Sequence, residues 1–155
     1  MTLDLTVPSQ LQLLLDIVVA ERDKLLLVFK APPCGTASRA RGRPIKPSLL
    51  QGRRARQPLR TDEQPDGKDN LSGIDKLKTE LANQLYSAIS ELVLLAHSCG
   101  ICVVVENPAN SLDWKTSAAK RFLDIIQGFI TDFHYCCHSG TRDKLTRFWS
   151  NKEWM

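Results

Sequence analysis

Apolar positions along the chain fall into two kinds of pattern, and their alternation predicts the order of elements. Leu11, Leu14, Leu15, Val18 and Val19 recur at helical spacing. Pro8 to about Arg22 is therefore expected to be a helix, with Asp4 or Thr6 as cap and Pro8 in its first turn. Leu25 to Phe29 is an unbroken apolar run of strand length, as expected for a strand buried on both faces of a parallel sheet. Pro32 and Pro33 end it, because a proline lacks a ladder donor, and Gly35 permits a sharp turn.

Ile74, Leu77, Leu81, Leu85, Ile89, Leu92, Val93 and Ala96 make the longest helical stripe. Ser72-Gly-Ile-Asp75 before it has capping-box spacing, and Gly100 suits the C′ position after it. Ile101-Cys-Val-Val-Val105 is a second buried strand, ending in Glu106-Asn-Pro108. Ser111 to Gly128 is expected to be a third helix, with Trp114, Ala118, Phe122, Ile125 and Ile126 on one side. Phe129 to Cys137 and Lys144 to Trp149 are strand candidates, and Thr2 to Thr6 has the look of the tail of a short strand. Strands alternating with helices predict βαβ crossovers, hence an α/β fold with a mostly parallel sheet and helices on both faces.

Thr36 to Asn70 breaks the pattern. It has no sustained periodicity and carries Pro44, Pro47, Pro58 and Pro65 with Gly42, Gly52 and Gly67. A loop of that length in a compact domain is usually functional or a flexible insertion. It also holds the chain's positive charge. Arg39, Arg41, Arg43, Lys46, Arg53, Arg54, Arg56 and Arg60 fall between Ser38 and Arg60 without an acid. With the whole chain at +4, the remainder sits at −4. Charge concentrated in one segment suggests contact with a polyanion.

The 155 residues suffice for one domain with a core. No apolar run approaches a membrane span, and no secretory signal is visible. Five cysteines (Cys34, Cys99, Cys102, Cys136 and Cys137) without a signal point to a reduced, intracellular compartment, nuclear or cytoplasmic.

Two strand ends carry the candidate chemistry. Cys34 and Glu106 each follow a buried strand, where open α/β sheets place ligands. Neighbouring strands lie about 4.8 Å apart, so adjacent strands would bring a thiol and a carboxylate into one cleft. A thiolate can attack a carbon of a planar heterocycle while a carboxylic acid hydrogen-bonds a ring nitrogen. The ordinary alternative for Cys34 is a small buried residue in a loop.

Ala31-Pro-Pro-Cys-Gly-Thr36 resembles the Pro-Cys motif of DNA (cytosine-5) methyltransferases, and Val105-Glu-Asn-Pro108 resembles their Glu-Asn-Val motif. Gly140-Thr-Arg-Asp-Lys-Leu-Thr-Arg147 sits where that family has its Gln-Arg-Arg element. The resemblance implies Cys34 as nucleophile on the cytosine ring and Glu106 on the ring nitrogen. It implies Arg142 or Arg147 as support for the base or backbone, with Asn107 among the substrate contacts, while the long loop itself puts Arg39 and Arg41 where they would cover a substrate. It places Asp4 and Pro32 near S-adenosyl-L-methionine. Gly35 and Pro108 depart from the family's usual Gln and Val, and no glycine-rich motif precedes Asp4.

The implied fold is a Rossmann-like methyltransferase core, incomplete at both ends, covering about Leu3 to Trp149. Without a central first strand, the Cys34 strand is expected to leave an apolar edge open to self-association, and the chain alone to bind the cofactor poorly. The implied partner is nucleic acid, DNA before RNA, and no membrane. Two other readings compete. One is a catalytically inactive remnant that binds nucleic acid through the Arg39 to Arg60 loop. The other is a zinc module built from Cys99, Cys102, His134, Cys136, Cys137 and His138.

Overall fold

Each apolar run becomes a strand. The computed structural model describes residues 2–42, 57–138 and 144–153. The elements are α1 (Pro8–Ala20), β1 (Leu27–Lys30), α2 (Gly73–Ser98), β2 (Cys102–Pro108), α3 (Ser117–Ile125), β3 (Phe129–His134) and β4 (Leu145–Ser150). Short 3-10 turns lie at Arg22–Lys24, Arg39–Gly42, Leu112–Lys115 and Tyr135–His138. Arg43, Lys46, Arg53, Arg54, Arg56, Arg142 and Trp154 fall outside the described residues.

The strands form one sheet in the order β1-β2-β4-β3. β1 and β2 are parallel, with Leu27 opposite Cys102 and Lys30 opposite Val105. β4 runs antiparallel to both β2 and β3. The expected mostly parallel sheet is thus corrected to a mixed one with a single parallel pair. The reason is connection length. β1 reaches β2 through the whole of α2, whereas β3 reaches β4 through the short 135–144 segment. A parallel return needs a crossover of about a dozen residues or more.

The expectation of helices on both faces is corrected as well. Val18 of α1, Leu92, Val93 and Ala96 of α2, and Phe122 of α3 join Val103, Val105 and Trp149 in one buried cluster. All three helices therefore cover the same face of the sheet. Trp149 packs against Phe122 with ring centroids 4.9 Å apart and planes tilted by 60°, and a fully buried aromatic of this size stabilises by about 3 kcal/mol. On the other face Phe148 meets Phe29 at 6.0 Å and Phe133 at 5.0 Å, both edge-on. β1 lies at the sheet edge, and Leu27 and Phe29 are 43% and 51% exposed. It is therefore not the doubly buried strand that its composition predicts.

α2 ends as expected. Gly100 takes φ +76°, its N–H bonds the His97 carbonyl and the Ile101 N–H bonds the Ala96 carbonyl. Its start differs. Ser72 occupies the N-cap without a side-chain bond, so the capping box is not formed. Ile74, Leu77 and Leu81 are exposed, because among the described residues no element covers the first half of that stripe. The expected helix from Ser111 to Gly128 divides at Thr116. Its hydroxyl donates to the Asp113 carbonyl at 2.7 Å and accepts from the Ala119 N–H at 3.2 Å, closing one turn and capping α3.

Among the described residues no helix is long and apolar enough to cross a membrane.

Candidate active site

The parallel pairing of β1 and β2 brings the Pro-Pro-Cys turn and the Glu-Asn-Pro segment to the same end of the sheet. Asn107 joins them directly. Its side chain is fully buried, and its amide donates to the Pro32 carbonyl at 3.5 Å and to Asp113 Oδ2 at 3.0 Å. Pro32 is itself buried. Cys34, half-buried, opens a tight turn in which the Ala37 N–H bonds the Cys34 carbonyl at 3.1 Å. The Leu112 N–H then holds the Ala37 carbonyl at 3.0 Å.

A second set of bonds holds the turn from the side of α2. Arg60 is 2% exposed. Its Nη1 donates to the Pro65 carbonyl at 2.7 Å and its Nη2 to Thr36 Oγ1 at 3.2 Å. The Thr36 hydroxyl lies 3.5 Å from that of Tyr86, which donates to the Pro33 carbonyl at 2.9 Å. Arg60 also sits 5.3 Å from the centroid of the Tyr86 ring, a cation–π distance. Burial holds the Arg60 guanidinium below its usual range and the Tyr86 phenol above it. Burial also pushes the Asp113 carboxyl up to about 6, with the Arg60 charge pulling the other way.

Glu106 is half-buried and lies opposite Phe148 in the β2–β4 register. Lys144 Nζ donates to its Oε1 at 2.9 Å. Strand alternation puts Glu106 and Asn107 on opposite faces, so Asn107 enters the core and Glu106 does not. Among the described residues no hydrogen bond joins Cys34 to Glu106.

The other candidate residues are placed as follows. Arg39 Nε donates to the Asn110 carbonyl at 3.0 Å, and its Nη2 contacts Asp62 at 2.5 Å. Lys115 also binds Asp62, and the two cations hold that carboxyl far below its usual range. Arg41 bonds the Gln57 carbonyl at 3.2 Å and lies 3.7 Å from Asp75. Arg147 pairs across the β3–β4 register with Asp132, through two bonds of 2.8 and 2.7 Å. All three arginines are exposed or half-buried, and each has an acidic partner. Arg60, counted with the basic segment, is inside the fold.

Asp4 follows no strand. Its Oδ1 accepts from the Thr6 N–H at 3.0 Å and the Thr6 hydroxyl at 2.7 Å, and these bonds hold its pKa below the usual carboxylate value. The nearest cavity, about 460 Å³ between α1 and α2, is lined by Leu5, Thr6, Leu11, Leu15 and Ser87 among others, without Pro32. Neither Asp4 nor Pro32 lines that cavity. Among the described residues no group of three or more His, Cys, Asp or Glu is placed to hold a metal ion.

Three residues of this region, Arg60, Tyr86 and Asp113, are not evident from the sequence patterns. Tyr86 carries a readable signal. It lies three residues before Ile89 on the core side of α2, where a buried phenol needs a partner. Arg60 and Asp113 carry none. No protein-family model, curated protein or solved structure matches the chain.

Proposed function

We propose that the chain is a DNA (cytosine-5) methyltransferase-like unit in which Cys34 is the nucleophile. Its fold belongs, on this reading, to a partial Rossmann-like methyltransferase core. The supporting observation is the Asn107 amide bond to the Pro32 carbonyl, which ties the Pro-Cys turn to the Glu-Asn-Pro segment at one end of a parallel pair. The thiolate of Cys34 forms a bond to a ring carbon of cytosine, and the displaced electron pair moves onto the ring. Glu106, released from Lys144 and acting as the carboxylic acid, donates a hydrogen bond to the ring nitrogen and stabilises that charge. S-adenosyl-L-methionine supplies the methyl group in the family that the motifs resemble.

The test is a DNA duplex in which pyrimidin-2-one replaces cytosine, a base that accepts a thiolate without a methyl donor. The expected result is a denaturation-resistant adduct with the wild type, none with Cys34→Ser and less with Glu106→Gln. A folded wild-type chain that gives no adduct overturns the reading. A non-catalytic polyanion binder would instead bind any sequence with a steep salt dependence.

A further inference from the structure

We infer that Tyr86 and Thr36 are positioning residues for Cys34, working as one directed chain of hydrogen bonds that starts at buried Arg60. This deepens the reading of Cys34 as a nucleophile and rests on it. Arg60 has only donors, so its bond to Thr36 Oγ1 fixes Thr36 as acceptor there. The Pro33 carbonyl has only lone pairs, so Tyr86 must spend its proton on it. The remaining link then has one possible direction, with Thr36 donating to Tyr86. Each hydroxyl gives one proton and takes one, and every link strengthens the next.

The chain grips the turn at two points. Pro33 immediately precedes Cys34 and Thr36 follows it by two residues. Asn107 holds the Pro32 carbonyl from the other side. The cysteine is thus carried on backbone whose flanking polar groups are fixed by side chains from β2, α2 and the 57–65 segment. A reacting thiol gains most from this, because small errors in placement cost large factors in rate.

The experiment compares the wild type with Tyr86→Phe, Thr36→Val and Thr36→Ser, each confirmed as folded by circular dichroism. Alkylation of Cys34 by iodoacetamide is followed by peptide mass spectrometry, with exposed Cys137 as internal control. Tyr86→Phe and Thr36→Val free the turn, so Cys34 alkylation rises at least about threefold while Cys137 is unchanged. Thr36→Ser keeps the hydroxyl and restores the wild-type rate. With the pyrimidin-2-one duplex, the same two variants lower the maximal rate of adduct formation without changing the half-saturating duplex concentration. Unchanged Cys34 alkylation in both Tyr86→Phe and Thr36→Val overturns the inference. Absence of an adduct from the wild type overturns only the underlying reading, because the alkylation series needs no DNA.

Discussion

Asn107 and Asp113 are hydrogen-bonded at 3.0 Å inside the fold, and the carboxyl is held there at the expense of its charge. Its pKa of about 6 lies above the ordinary 3.8, so the folded state binds the proton more tightly than the unfolded chain does. Below about pH 4 both states are protonated and the group is neutral in the balance. As pH rises through 4 to 6 the unfolded carboxyl ionises first, and stability falls by about 3 kcal/mol. Wild type is therefore expected to lose stability relative to Asp113→Asn across this window. Urea unfolding of both proteins from pH 4 to 7 checks it, and parallel curves would refute it.

Arg147 and Asp132 present the opposite case. The pair is bidentate but about one-third exposed, so its Coulomb energy is screened. Arg147→Ala is expected to lower stability by less than about 1 kcal/mol. If Arg147 supports the nucleic acid, the same substitution lowers adduct formation about tenfold, the worth of one charge-assisted contact. Thermal unfolding and duplex trapping on the same variant separate the two effects.

Gly128 is fixed by a close approach. A Cβ there would collide with the indole of Trp149 and stand 2.7 Å from the Ser150 carbonyl, neither of which has room to retreat. Gly128→Ala is expected to cost about 3 kcal/mol, near the upper end for overpacking. Denaturant unfolding gives the value, and a loss under 1 kcal/mol, roughly the size of a surface substitution, would contradict the geometry.

β1 has no strand on its outer side among the described residues, and Leu26, Leu27 and Phe29 are exposed along it. Such an edge is a template for another chain. The protein is expected to self-associate with rising concentration in sedimentation, and Phe29→Lys is expected to suppress this. Equal sedimentation of the two at all concentrations would exclude the edge as the contact.

Local chemistry was legible and long-range pairing was not. The prolines at 32 and 33, Gly100 and the β-branched run before Glu106 place their elements because each acts through its own backbone. The place of β4 between β2 and β3 is set by long-range pairing with Val104–Pro108, and no local pattern within Leu145–Ser150 encodes that. Arg60 stands in a run of basic residues, and a charge count cannot tell a solvated arginine from one buried against Tyr86 and Thr36. At the site itself, the meeting of the two strand ends was readable, whereas the pairing of Glu106 with Lys144 was not.

The register of the sheet also sets an order of assembly. Arg147 meets Asp132 across 15 residues of chain, while Asn107 meets Pro32 across 75. Closing the longer loop costs more entropy and waits on α2 and β2. The β3–β4 pair is thus available early, and β1 docks onto a sheet already formed. The cysteine turn follows this edge strand, so its reactivity is a sensitive reporter of whether β1 is docked on the sheet.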